Sequence, residues 1–130
     1  MKIPFIKPQH ALTLLRITVG FIFIAHSAIR TYAGTVGGFG GFLESKGLPL
    51  GVVIAWGITV FEFFGGSLFA LGKYTGIIGL IFIFHQIMAI TLVHSNYGWF
   101  VVGYSNGGME YSVLIIASLI AIVSKDNQNV

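Results

Sequence analysis

The stretch ALTLLRITVGFIFIAHSAIRTY, residues 11–32, decides the fold. At a rise of about 1.5 Å per residue a helix of this length reaches about 33 Å, enough to cross a hydrocarbon layer about 30 Å thick. Outward from it, residues 51–71, 76–93 and 109–123 form three further apolar runs. The last run is short for a span, so part of the loop before it is expected to sink towards the bilayer. The whole chain agrees: of 130 residues 55% are hydrophobic and 8% charged, and the mean hydropathy is +0.90. A soluble domain carries about a quarter charged residues, so seven Lys and Arg with four Asp and Glu cannot clothe this chain in water. The expected fold is all-α, a four-helix transmembrane bundle forming a single membrane domain over residues 1–130.

The connections are distinct in composition. Residues 33–50 are Gly-rich, yet Val36, Phe39, Phe42 and Leu43 recur at helical spacing before Glu44, Lys46 and the stop Gly47-Leu48-Pro49. That pattern predicts a short interfacial helix between spans one and two. The GGFGGF run at 37–42 follows a membrane helix, not a strand, so it is no dinucleotide loop. Residues 72–75 are short enough to turn the next helix back antiparallel. Residues 94–108 hold Tyr97, Trp99, Phe100 and Tyr104 among Gly and Asn, the composition of an aromatic belt, and are expected to fold as a small hairpin or lid.

Charge and cysteine usage close several classes. Without cysteine there is no thiol-disulfide carrier, iron-sulfur cluster, thiolate zinc site or covalent haem attachment. The net charge of +3 is spread along the chain, with none of the clusters that bind nucleic acid. Lys2 and Lys7 before an apolar run resemble a secretory signal, but the spanning length and the interruptions at Arg16 and His26 argue against cleavage. Lys2, Lys7, Lys73 and Lys125 fall on one side of a four-span arrangement and Lys46 on the other, with Arg30 near that second interface. The positive-inside rule then puts both termini in the cytoplasm.

Polar residues inside the spans are the candidate site. A charge at the bilayer centre costs about 2.5–3.5 kcal/mol on insertion scales, so such groups face the bundle interior. Arg16, Gly20, Ser27 and Arg30 share one stripe of span one at 100° per residue, with His26 on its edge. Glu62 lies in span two, His85 beside Gln86 in span three and Glu110 at the start of span four. Gly65 and Gly66 after Glu62 admit a neighbouring backbone, and Ala117 and Ala121 are expected to do the same below Glu110. Helical rise puts Glu62 near the midplane, His85 close to it and His26 about 9 Å below the outer surface. These three are expected in one pocket, rimmed by Arg30, His94 and Glu110 and roofed by the two loops.

Each residue also has a plainer reading. Glu62 is either a proton acceptor or ligand contact, or an acid hydrogen-bonded to a neighbouring helix. Arg30 with Glu110 reads as a structural ion pair, Arg16 as snorkelling to headgroups or pairing with span four, and Trp99 as an anchor. His26 and His85 suit donation to a ligand carbonyl better than axial ligation of a b-type haem, because their depths differ by about 7 Å. No metal-ligand spacing is present.

The order Arg16, FIFIAHS around His26, GGFGGFLESKGLPL, VFEFFGG around Glu62, NYGWF and NGGMEY resembles the DoxX family over about residues 10–124. The resemblance implies a four-helix membrane bundle with a buried acid in its second span, in a bacterial-type plasma (inner) membrane. Relatives include subunits associated with a quinol oxidase and with thiosulfate:quinone oxidoreductase, which makes a quinone one candidate ligand, while many other relatives have no assigned activity. The motif adds Asn106 and Gly107 to Arg16, His26, Glu62 and Glu110 as positions of interest, without an established role for any of them. Two functions follow: a redox-linked subunit holding a quinone or similar small lipophile in an outer-leaflet cavity, or a non-enzymatic transport, assembly or scaffolding subunit. In either case the bilayer and a second protein, a like copy or a redox partner, are the expected partners.

Overall fold

A computed structural model of the chain describes residues 5–103 and 106–127. The described residues form five α-helices and a 3₁₀ turn: α1 (Pro8–Tyr32), α2 (Val36–Ser45), α3 (Gly51–Ala70), α4 (Thr75–Leu92), the turn His94–Tyr97 and α5 (Glu110–Asn127). By length and composition α1, α3 and α4 are long and apolar enough to cross a membrane. α1 starts three residues before the apolar run because Pro8 sits in its first turn, where a missing N–H costs nothing. α5 continues through the polar residues after Val123, with Lys125 in its last turn, where the helix dipole favours a cation.

α1 packs chiefly on α3 and α4 on α5, while α1–α5 and α3–α4 contacts close a four-membered ring. The core is a ladder of Val19, Phe23, Phe69, Phe82, Ile115 and Leu119. At its centre Phe82 stacks on Phe23, with ring centroids 3.8 Å apart and planes 5° from parallel. Phe61 and Phe69 meet Phe82 edge-on at 5.4 and 5.9 Å. Outward faces carry large apolar side chains such as Phe21, Val53, Phe64, Leu80, Phe84 and Leu114. That inside-out distribution is what a lipid solvent permits and water does not.

α2 lies over the α3 end of the bundle, burying Val36 and Leu43 against Ala55. Its Glu44 carboxylate accepts the Gly51 N–H at 3.2 Å, satisfying one of the unpaired amides that open α3. Beyond α4 the chain doubles back as a hairpin. Val101 O and Phe100 O accept the N–H groups of Gly107 and Gly108, and Trp99 O and Gly98 O those of Glu110 and Met109. Tyr104, expected in the aromatic belt, lies outside the described residues, as does Lys2.

Arg16 Nε donates to Ala70 O at 3.3 Å, capping the C-terminal end of α3. Two sequence expectations are corrected. Ala117 and Ala121 do not mark a helix contact within the chain, because both are exposed and α5 buries Ser112, Ile115, Leu119 and Ile122 instead. Arg30 does not pair with Glu110, whose Oε1 accepts the Val101 N–H at 3.0 Å within the hairpin.

Candidate functional site

Glu62 is 1% exposed at the middle of α3, facing α1 and α4. One turn earlier on the same face, Thr59 donates its hydroxyl proton to Ala55 O at 2.7 Å. Its oxygen is thereby oriented to accept, and Arg30 Nη1 donates to it at 3.0 Å and to Glu62 Oε1 at 3.1 Å. Arg30 comes from the last turn of α1, and its Cζ lies 4.9 Å from the centre of the Phe39 ring on α2. The guanidinium is thus held between a carboxylate, a hydroxyl and an aromatic face, an arrangement its planar fork suits and an ammonium would not.

His85 on α4 completes the cluster. Its Nε2 lies 3.5 Å from Glu62 Oε1, longer than a good hydrogen bond, so this nitrogen is not fully committed to the acid. Gln86 Nε2 approaches His85 Nδ1 at 3.3 Å, and Phe23 meets the imidazole edge-on at 5.8 Å. The Phe23–Phe82 stack therefore sets the ring's position from the core.

These groups open onto a cavity of about 270 Å³ at the end of the bundle opposite the termini. Ile22, Phe39, Phe42, Leu43, Met88 and Ile115 supply most of its wall, with Arg30, Glu62, His85, Gln86, Tyr111 and Ser112 as polar points. His26 lines it and is exposed at its rim. His94 also lines it, its Nδ1 2.8 Å from Gly107 O, so the hairpin is tied to the cavity wall. The roof is α2, through Phe39, Phe42 and Leu43; Trp99, on the hairpin, is exposed.

Of the residues singled out from the sequence, His26, Arg30, Glu62 and His85 come together here, and Asn106 and Glu110 stand outside the lining in the hairpin and at its junction with α5. Arg16 belongs to the opposite end of the bundle. Gly66 admits α1: a Cβ on it would lie 2.9 Å from Gly20 O, whereas one on Gly65 would first meet the Phe61 ring of its own helix at 3.3 Å. Thr59 and Phe39 were not anticipated. Thr59 was findable, three residues before Glu62 on one helical face; nothing local marks Phe39, which reaches Arg30 only because α2 folds over it. Among the described residues no group of three or more His, Asp or Glu is placed to hold a metal ion.

Neither the curated proteins nor the solved structures contain a significant match to this chain. The family model described as DoxX matches residues 11–95, a segment running from α1 through α4 and holding Arg30, Thr59, Glu62 and His85, though not Asn106 in the hairpin or Glu110 at the start of α5. With more than half of its length matched, this multi-pass, all-helical membrane protein belongs to the DoxX family.

Proposed function

We propose that the protein binds a quinone or a similar small oxygen-bearing lipophile in the cavity above Arg30, Glu62 and His85, as the membrane subunit of a redox-linked complex. The observation that carries the reading is a buried Arg–Glu pair, with a histidine only partly committed to it, opening into an otherwise apolar space. A cavity of about 270 Å³ lies just under the roughly 300 Å³ at which drug-sized pockets begin. It suits one ring headgroup, with an isoprenoid tail left in the bilayer.

In this reading Phe23, Met88 and Ile115 hold the ring. His85 Nε2, His26 and the Arg30 N–H groups not used by Thr59 and Glu62 donate to a ligand oxygen. Glu62 Oε1 lies beside that oxygen as the proton acceptor, and Arg30 keeps it in place. Electrons enter and leave through a partner redox protein. The distribution of basic residues favours cytoplasmic termini in a plasma membrane, and in that orientation the cavity faces the outer leaflet.

The test is direct. Protein purified in mild detergent is extracted and its small molecules identified by mass spectrometry, and the stripped protein is titrated with a short-tailed benzoquinone. Near-stoichiometric quinone and saturable rebinding, weakened about tenfold or more by Glu62→Gln and by His85→Ala, are expected. An empty protein that does not bind the probe overturns the reading in favour of an assembly or scaffolding role.

A further inference from the structure

His85 and His94 line one cavity with opposite hydrogen-bonding polarity. Gln86 Nε2 faces His85 Nδ1 at 3.3 Å, an arrangement in which Nδ1 accepts and Nε2, 3.5 Å from Glu62 Oε1, carries the ring proton. The carbonyl of Gly107 can only accept, so His94 Nδ1 carries the proton across 2.8 Å and Nε2 is left as a bare acceptor. The cavity lining therefore includes a donor beside Glu62 and, in the neutral ring of His94, an acceptor at the hairpin.

Quinones and quinols differ in how they meet such a pair. A quinone oxygen only accepts: it satisfies His85 or Arg30, but against His94 it places lone pair against lone pair. A quinol hydroxyl does both, accepting from the Arg30 and His85 side and donating at its other end to His94. We infer that the cavity selects the reduced, hydroxyl-bearing form of its ligand, with His94 Nε2 accepting the hydroxyl proton in a hydrogen bond as the specificity-determining contact. The inference rests on the quinone-type ligand proposed above and adds the oxidation state and the residue that reads it.

The experiment compares three probes on the full chain in lipid nanodiscs without oxygen: a short-tailed benzoquinol, the matching benzoquinone and the benzoquinol dimethyl ether, which keeps the ring and both oxygens and loses both donors. The quinol is expected to bind on the order of tenfold more tightly than either of the others, the difference a single unmatched polar group makes. His94→Asn keeps an N–H for Gly107 O and removes the distal acceptor, so it is expected to bring the three affinities together while thermal unfolding stays near wild type. Equal affinities in the wild type, or a tighter quinone, overturn the inference and leave the proposed function standing. Failure of all three probes to bind overturns the proposed function itself. A quinol preference that survives in folded His94→Asn removes His94 from the role, and should that variant not fold, the wild-type ranking alone decides.

Discussion

Gly20 and Gly66 stand against each other where α1 crosses α3, one turn along α3 from Glu62. A Cβ on Gly20 would lie 2.7 Å from Gly66 O, and one on Gly66 2.9 Å from Gly20 O, so the two backbones are already in contact. Gly66→Ala must push the helices apart, and since overpacking costs about 1–3 kcal/mol, the melting point in detergent is expected to fall clearly. Gly57→Ala on the same helix is the control: a Cβ there meets nothing within 4 Å, and helix propensity predicts a neutral or slightly stabilising change. Equal effects at the two positions would remove the close crossing from the account.

Breaking the Arg30–Glu62 pair from one side is expected to hurt more than replacing it whole. Arg30→Leu leaves the acid buried beside Thr59 without its cation, a loss of about 3 kcal/mol for a buried pair. The double replacement Arg30→Leu with Glu62→Leu is expected to recover more than half of that, because neither charge then needs compensation. Thermal unfolding of the three proteins checks it, and a double variant less stable than the single one would show that the pair itself holds the fold.

At the opposite end, Arg16 lies over Gly72 as well as donating to Ala70 O. Gly72 has φ +81° and a Cβ on it would meet the guanidinium carbon at 3.1 Å, while Gly34 has φ +70° with open space around it. Alanine at either position incurs left-handed strain of about 1–2 kcal/mol. Only Gly72→Ala also disturbs Arg16, so it is expected to destabilise more than Gly34→Ala. Combining it with Arg16→Ala should narrow the gap, and a gap unchanged by that second substitution would place its cause elsewhere.

The helix faces were legible because period and burial coincide. Gly20 and Ser27 on the α1 stripe are buried, Arg30 at its end is half-buried, and Glu62 is sealed on the inner face of α3. The spacing of Val36, Phe39 and Leu43 likewise located α2 and its buried side. Arg30's partner was misread because depth along a helix locates a Cα. The arginine stem is long enough to carry a guanidinium from the last turn of α1 to an acid in the middle of α3. Glu110 was lost to a long-range event, the hairpin that brings the Val101 N–H to its carboxylate. On α5, small size suggested contact at Ala117 and Ala121, but the buried face follows the larger Ile115, Leu119 and Ile122.

The bond between Glu110 and Val101 gives a prediction local enough to isolate. Glu110 opens α5, where the helix dipole favours an acid, and its Oε1 takes a hairpin N–H at 3.0 Å. Glu110→Ala leaves the cavity lining intact but frees that N–H, and a hydrogen bond to a charged group is worth about 1.5–3 kcal/mol. Amide exchange at Val101 is expected to speed at least tenfold, with a smaller rise at Gly107, whose own N–H bonds to Val101 O. Glu110→Gln keeps a carbonyl acceptor and is expected to move exchange by less than half as much on a logarithmic scale. Exchange at Ile78, buried in α4 at the far end of the bundle, should not change in either variant. Because His94 is tied to Gly107 in this same hairpin, loosening it should also weaken the cavity's hold on a hydroxyl-bearing ligand. A faster Val101 amide with unaltered quinol affinity would separate hairpin stability from ligand binding.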